Sequence, residues 1–329
     1  MRGLVLAAGL GTRLRPLTDT IPKPLLPVIA RPLIEHAFSL LHSAGILDIA
    51  VNTHHLPQLF DDLLRDGTCF SQRVTISHEM PEVLGTGGAI KKLRSFLEKS
   101  DPLIVTNGDT MSRPDLAAAV EAHRKSGAIA TMILRRDERA VRFGAVEADE
   151  TGVVVDIAGL LKKKGSASGL FIGTHVISPE IFRHMPEENI FCIIRQVYVP
   201  LIKTSSGAVR GHFTDAPFFD LGTPRDYAET QFELMRSLRG TFPHAFIGLA
   251  EKGESVFLSP SARIHPDAVL VGPCAVCADA IIEAGARIGP DAVIGAGAKI
   301  GMNSRVRQSV VLPGSVIEME TLSRLIHIH

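Results

Sequence analysis

Leu4-Val5-Leu6-Ala7-Ala8-Gly9-Leu10-Gly11-Thr12-Arg13-Leu14-Arg15-Pro16 decides how the rest of the chain is organised. Leu4 to Ala8 is a short apolar run that ends at glycine, the pattern of a buried strand. The glycines that follow free the backbone to bring N–H groups close to an anion. Arg13 offers a planar fork of donors that matches phosphate oxygens. A dinucleotide-binding turn needs G-x-G-x-x-G, but Leu14 stands at the third glycine and Pro16 opposes the helix such a turn opens. A P-loop ends in Gly-Lys-Ser/Thr, which is absent. A glycine turn with solvated arginines suits a lone G-x-G, but it leaves the downstream sequence unexplained.

Outward from this strand, helix and strand patterns alternate. Pro32 to Ala44 predicts a helix: Leu33, Ile34, Ala37, Phe38 and Leu41 share one face, and Gly45 can stop it. Strands are expected at Ile46–Asn52, Val74–His78, Leu103–Thr106 and Ile129–Leu134. Helices are expected at Leu56–Arg65, Ala89–Leu97 and Asp115–Lys125. This order predicts an α/β fold, a Rossmann-like and mostly parallel sheet with helices on both faces. Ligands in such folds bind beyond the carboxyl ends of the strands.

The pattern changes at Leu258. An aliphatic residue returns every sixth position through Ile264, Leu270, Val276, Ile282, Ile288, Ile294, Ile300 and Val306 to Leu312. Four residues after each comes a small or β-branched residue, from Ala262 to Val316. Hexapeptide periodicity is the signature of a parallel β-helix. The ten registers, read without a slip, predict a left-handed prism of a little over three coils. The expected division is a catalytic domain at 1–240, a linker at 241–255, the β-helix at 256–318 and a tail at 319–329.

A chain of 329 residues suits two domains, and its 45% hydrophobic content supports a large core. Its formal net charge of +0 lacks the basic field of a nucleic-acid binder, so no nucleic-acid partner is expected. The apolar run at the N-terminus is interrupted by Gly9, Gly11 and Arg13 and is too short for a signal peptide. No stretch approaches the roughly 18 apolar residues of a membrane span. Four cysteines make no disulfide framework for this length, and a cytoplasmic protein is expected.

Gly9-Leu10-Gly11-Thr12-Arg13-Leu14-Arg15-Pro16 with Pro22-Lys23-Pro24 resembles the signature of the sugar-nucleotide pyrophosphorylases, the sugar-1-phosphate nucleotidyltransferases. Leu84-Gly85-Thr86-Gly87-Gly88-Ala89, Asn107-Gly108-Asp109 and Phe219-Asp220-Leu221-Gly222-Thr223-Pro224 follow in that family's order. The catalytic part looks closest to mannose-1-phosphate guanylyltransferases and N-acetylmuramate-1-phosphate uridylyltransferases, and the hexapeptide tail resembles the former group.

The resemblance implies a role for each matching position. Ala8 and Gly9, with Gly87 and Gly88, would contact the nucleotide's base through backbone and close packing, and Leu6 would also belong to the nucleotide site. Gly11, Thr12 and Arg13 would hold the triphosphate, and Lys23 would face the reacting phosphate. Asp109 and Asp220 would bind Mg²⁺. On the sugar-phosphate side, Gly144 matches a family glycine in Arg142-Phe143-Gly144, and Ala167-Ser168-Gly169 stands where relatives have Asn-Ala-Gly. The family's Glu-Lys-Pro segment is missing; Leu160-Leu161-Lys162-Lys163-Lys164 occupies its place and reads better as a solvated loop than as a substitute.

The chemistry calls for these residue types independently. Attack on an α-phosphorus by a sugar phosphate brings two anions together, so catalysis is mostly charge neutralisation and alignment. Magnesium takes a few carboxylates plus phosphate oxygens and water. Arg13 and Lys23 would stabilise charge developing on diphosphate. The sugar phosphate is itself an adequate nucleophile. The expected partners are a nucleoside triphosphate and a sugar 1-phosphate, with GTP and mannose 1-phosphate first and UTP with a glucose or amino-sugar phosphate next. A catalytically silent nucleotide-sugar-binding subunit is the alternative, and retention of Arg13, Lys23, Asp109 and Asp220 argues against it.

Other signals carry less. Cys274 and Cys277 form C-x-x-C without a second pair, and Cys274 sits at a small-residue position of the repeat, so filler is expected rather than zinc. His54-His55 reads as surface or cap, and His327-Ile328-His329 as tail. Only His265 lies within the repeats, with no long loop beside it, which speaks against an acyltransferase. The β-helix is expected to build a homo-oligomer interface or a regulatory platform.

Overall fold

Leu4 and Val5 lie wholly buried in β1 (Arg2–Leu6), the strand from which the computed structural model is best described. The structure describes residues 1–68, 70–140, 144–318, 321–323 and 326–327. Their contacts group Met1–Leu10 with Ala37–Phe218 as one unit, and Gly11–His36 with Phe219–His329 as a second. None of the described helices is long and apolar enough to cross a membrane.

The first unit is built on a nine-stranded sheet. After β1 come β2 (Asp48–Thr53), β3 (Arg73–His78), β4 (Leu103–Asn107) and β5 (Ala130–Arg135). The rest are β6 (Ala145–Ala148), β7 (Val154–Ile157), β8 (Ala167–Ile177) and β9 (Val209–Thr214). The order is β7-β6-β8-β4-β1-β2-β3, with β5 between β8 and β9. The run β4-β1-β2-β3 is parallel, as is β5 with β9. β8 is antiparallel to β4, β5 and β6, and β6 to β7. Strands inside a parallel run are covered on both faces, which is why Ile49-Ala50-Val51 and Leu103-Ile104-Val105 are continuous apolar triplets, all fully buried.

The helices follow the expected alternation: α1 (Ile34–Ser43), α2 (Pro57–Leu64), α3 (Gly85–Lys92), α4 (Arg94–Leu97) and α5 (Leu116–Ser126). Gly45 follows α1 with φ 71°, and Gly127 closes α5 with φ 63°. Asp115 caps α5 by accepting the Ala118 N–H at 2.9 Å. The single helix expected over Ala89–Leu97 is instead two, α3 and α4, divided at Leu93. The helix expected from Ala89 begins at Gly85, inside a glycine-rich turn whose low helix propensity hides it.

The β-helix belongs to the second unit. One face stacks Val256–Leu258, Cys274–Val276, Ala292–Ile294, Ser309–Val311 and Ile326–His327 in parallel. A second stacks Arg263–Ile264, Ile281–Ile282, Lys299–Ile300 and Val316–Ile317. The third stacks Val269–Leu270, Arg287–Ile288, Arg305–Arg307 and Thr321–Ser323. Cys274, Val276, Ala280, Ile282, Ala286 and Ile288 fill the interior together with their counterparts in the next coil. Burial pushes the Cys274 and Cys277 thiols up to about 12, so both stay protonated, and the Cys277 thiol donates to the Ile29 carbonyl at 3.3 Å.

The repeat slips once, contrary to the unbroken ladder expected from sequence. Ile288 pairs with Val306, but Ile294 pairs with Val311 rather than Leu312. Gln308 alone, at φ 46°, joins Arg305–Arg307 to Ser309–Val311, where the coil before uses Gly289-Pro290-Asp291. The shortened corner puts Val311 and Ile317 into the interior and leaves Val316 47% exposed. The prism also runs further than expected: Thr321–Ser323 and Ile326–His327 continue it into the segment taken as a tail. At its other end, Ala250–Lys252 pairs antiparallel with Val256–Leu258, so part of the expected linker is ordered strand. Ile328 and His329 fall outside the described residues.

Candidate functional site

The first unit gathers its candidates at the carboxyl ends of β1, β2 and β4. The Leu6 carbonyl accepts the Gly108 N–H at 2.8 Å, which sets the Ala7–Gly9 turn beside the Asn107–Asp109 bend. Ala7 and Ala8 are buried, whereas a Cβ added to Gly9 would meet nothing within 4 Å. The backbone is therefore open to a ligand at Gly9. Gly173, at φ 80°, is demanded by Asn107: a Cβ there would stand 2.6 Å from Asn107 Nδ2. Asp109 is half-buried at the end of this bend.

Behind the first turn, the Ala7 N–H donates to Asn52 Oδ1 at 2.9 Å. Asn52 Nδ2 in turn donates to Glu79 Oε1 at 2.8 Å, and the Leu84 N–H donates to Glu79 Oε2 at 2.8 Å. Gly87 and Gly88 are closely packed on the side of the Asn189–Phe191 segment. Their N–H groups donate to the Phe191 carbonyl at 3.0 and 3.3 Å. A Cβ on Gly87 would lie 2.2 Å from Phe191 Cε2, and one on Gly88 would lie 2.1 Å from the Asn189 carbonyl oxygen. These two glycines admit the Asn189–Phe191 segment. Sequence reasoning missed Phe191 because nothing local marks a residue that packs a hundred positions upstream.

The sugar-side candidates lie on β6 to β8. Gly144 has φ 94°, and a Cβ there would come 2.8 Å from Ala158 Cβ. Ser168 is exposed on β8 opposite Glu147 of β6. Gly169 is buried, where a Cβ would lie 2.9 Å from Phe213 Cε1. Arg142 and Phe143 lie outside the described residues. The Leu160–Lys164 loop folds over buried Asp156, which accepts the Leu161 and Lys163 N–H groups at 2.9 and 3.2 Å. Lys162, Lys163 and Lys164 are all exposed, as a solvated loop requires.

The second unit holds Arg13, Lys23 and Asp220. Gly11, at φ 62°, opens a turn over Thr12–Leu14, and the buried Thr18 hydroxyl donates to the Gly11 carbonyl at 2.9 Å. Both terminal nitrogens of Arg13 stand 3.4 Å from Asp220 Oδ2. Lys23 is nearly buried, and its ammonium donates to the Asp220 carbonyl at 2.7 Å and lies 4.0 Å from Oδ1. Gly222 is needed for this arrangement: a Cβ there would fall 2.3 Å from Asp220 Oδ2 and 2.8 Å from Arg13 Nη1. Thr223 then caps the helix Pro224–Glu233 through the Asp226 N–H at 3.1 Å. The 219–224 motif is thus an acid, a tight turn and a helix start.

These geometries decide what the charges can do. Arg13 is 61% exposed and its contact with Asp220 is long, so the pair contributes only about 0–1 kcal/mol. A pair this weak leaves the guanidinium and the carboxylate each able to take another partner of opposite charge. Among the described residues no group of three or more His, Cys, Asp or Glu forms a ready metal cage. Magnesium binds through one or two carboxylates and completes its shell with phosphate oxygens and water. Asp109 in the first unit and Asp220 in the second are each a carboxylate of the kind magnesium takes.

Comparison with known proteins finds relatives for both parts of the chain. The family described as nucleotidyl transferase matches residues 2–236, and the bacterial transferase hexapeptide family (six repeats) matches residues 279–314. Mannose-1-phosphate guanylyltransferase of Mycobacterium tuberculosis is 32% identical over 273 residues, 82% of this chain and 73% of the relative. UTP–glucose-1-phosphate uridylyltransferase of a Synechocystis species is 29% identical over 239 residues, 69% of this chain and 61% of the relative. Among solved structures, HddC from Yersinia pseudotuberculosis complexed with GMP-PN matches with a TM-score of 0.58 at 26% identity, covering 71% of this chain and 99% of that one.

Proposed function

Because the chain belongs to the nucleotidyl transferase family, we propose that it joins GTP to mannose 1-phosphate and releases diphosphate. Sugar-1-phosphate nucleotidyltransferase activity is common ground between this chain and its named relatives. The specific pair rests on one observation, the mannose-1-phosphate guanylyltransferase that shares 32% of its residues with this chain over 82% of it. The solved relative with GMP-PN bound points the same way. Uridylyl transfer to glucose 1-phosphate is the second reading, carried by the 29% identical uridylyltransferase.

In the proposed reaction an oxygen of the sugar phosphate attacks the α-phosphorus, and the bond from that phosphorus to the bridging oxygen of the β-phosphate breaks in line. The nucleophile is already anionic, so no side chain must remove a proton. Leu6, Ala8, Gly9, Gly87 and Gly88 are assigned to the base wall. Gly11, Thr12 and Arg13 are assigned to the triphosphate, where the open N–H groups and the guanidinium replace water around the phosphates. Lys23, held by the Asp220 carbonyl, presents its charge toward the reacting phosphate. Asp109 and Asp220 are assigned to Mg²⁺, which when bound supplies positive charge to the α-phosphate and the departing diphosphate. Gly144, Ser168 and Gly169 are assigned to the sugar phosphate.

The test is a grid of GTP, UTP, ATP, CTP and dTTP against mannose, glucose, N-acetylglucosamine and N-acetylmuramate 1-phosphates, with magnesium, read by diphosphate release. The highest kcat/KM is expected for GTP with mannose 1-phosphate. A maximum at UTP with glucose 1-phosphate selects the second reading, and no release with any pair rejects both.

A further inference from the structure

Glu79 lies outside the sequence motifs that marked the candidate site, yet its carboxylate is fully buried. A buried carboxylate is costly unless both oxygens are satisfied. Here they are satisfied by two different walls of the candidate nucleotide site. Oε1 accepts from Asn52 Nδ2, whose own Oδ1 accepts the Ala7 N–H, and Oε2 accepts the Leu84 N–H. The residue's backbone is also fixed: its N–H donates to the Thr53 carbonyl at 2.7 Å, and its carbonyl accepts from His54 Nδ1 at 2.7 Å. Two side chains, Asn52 and Glu79, thus join the turn after β1 to the first residue of the Leu84–Gly88 turn through four consecutive polar atoms.

The direction of every bond in this chain is dictated. The Ala7 and Leu84 N–H groups can only donate. Asn52 must therefore offer oxygen to Ala7 and nitrogen to position 79, and position 79 must accept on both sides. Only a carboxylate accepts in both directions. A glutamine of the same shape turns a donor against either Asn52 Nδ2 or the Leu84 N–H.

We propose that Glu79 is a positioning residue for nucleotide recognition: it fixes the spacing of the Ala7–Gly9 and Leu84–Gly88 turns and thereby sets how tightly, and with what selectivity, the base is held. The inference rests on the assignment of those turns to the base. It goes further than that assignment by naming a residue that touches no substrate and by making base selectivity depend on a buried hydrogen-bond relay.

The experiment uses the full chain, with nucleotide affinity read by calorimetry and turnover by diphosphate release. Three variants are compared: Glu79→Gln, Asn52→Asp, and the two combined. Each single change puts like groups face to face, donor on donor or acceptor on acceptor. The double variant restores every bond. Its carboxylate at position 52 accepts from the Ala7 N–H and from the new amide nitrogen at position 79, while that amide's oxygen accepts from the Leu84 N–H. For Glu79→Gln the affinity for the preferred triphosphate is expected to fall about tenfold or more, with the KM for sugar phosphate within about twofold of wild type. Discrimination between GTP and UTP is expected to shrink by a similar factor, and the double variant to recover most of both. If Glu79→Gln lowers the melting temperature but leaves triphosphate affinity and base discrimination at wild-type values, Glu79 serves only the fold and the inference is overturned. If Glu79→Gln does not fold, Asn52→Asp against the double variant decides the same question: recovery of affinity in the double variant supports the relay, and no recovery overturns it. A wild-type chain that binds no triphosphate instead removes the nucleotide-site assignment itself, a different failure with a different signature.

Discussion

In the β-helix, Ile282 meets Ile300 in the next coil; in the sheet, Gly3 meets Ile104. The first contact repeats a local rule, so each coil needs information only from its neighbours. The second joins segments whose sequences carry no trace of each other. Function follows this division. No coil's interior differs chemically from the next: it is aliphatic, alanine, serine or cysteine throughout. The ends of β1, β2 and β4, by contrast, bring together a glycine turn, an amide, a buried carboxylate and an aspartate. A repeat specifies a shape with little information, and only non-local assembly places unlike groups side by side.

If that contrast holds, substitutions should split into those that change catalysis and those that change only stability. The largest effect on activity after loss of an acidic metal ligand is expected at Lys23. Lys23→Met keeps the buried stem but removes the charge, and kcat should fall about 10²–10³-fold with little change in melting temperature. Gly222→Ala comes next. Its Cβ would intrude on both Asp220 and Arg13, so kcat/KM should drop roughly 10–100-fold while the helix that follows keeps its cap. Ile288→Ala, in the β-helix interior, should cost about 2–5 kcal/mol in urea unfolding yet leave kcat near wild type. A collapse of kcat in the folded Ile288 variant would break the contrast.

The smallest expected effect is a pH dependence confined to the sheet unit. Burial pushes His175 down to about 3, below its ordinary value near 6.5, while it shares a hydrogen bond with the Tyr198 hydroxyl at 2.8 Å. Above pH 6.5 the imidazole is neutral in both folded and unfolded chains and changes nothing. Between 6.5 and 3 the unfolded chain takes up the proton first, so stability falls as the pH falls. The β-helix interior holds no group that titrates in this range among its described residues, since its one thiol, Cys274, titrates near 12. Acid should therefore loosen the sheet unit first, and His175→Gln should flatten the slope of unfolding free energy between about pH 6.5 and 4. An unchanged slope would remove His175 from that role.

The sequence made different parts of the molecule legible for different physical reasons. The α/β order was plain because buried parallel strands must be apolar throughout and amphipathic helices must show one apolar face. The prism was plain because its rule recurs every six residues. The slip at Gln308 was not, because a corner shortened by one residue leaves an aliphatic at both positions 311 and 312 and period alone does not choose between them. At the candidate site, Arg13, Lys23 and Asp220 were legible as charged residues in glycine- and proline-marked turns, and the structure brings these three together. Gly87 and Gly88 were legible as special, but their packing against the Asn189–Phe191 segment was not, since that segment comes from far along the chain. Glu79 and Asn52 were invisible: a lone acid and a lone amide acquire meaning only when strand pairing fixes what faces them.

Asp109 and Asp220 are proposed to act on one nucleotidyl transfer, and every other assignment at the site depends on that pairing. It is tested most directly by diphosphate release from GTP and mannose 1-phosphate across a magnesium titration, in wild type, Asp109→Ala and Asp220→Ala. Each variant should lose about 10³-fold or more in kcat at every magnesium concentration while melting within a few degrees of wild type. Wild-type turnover in either folded variant would contradict the claim.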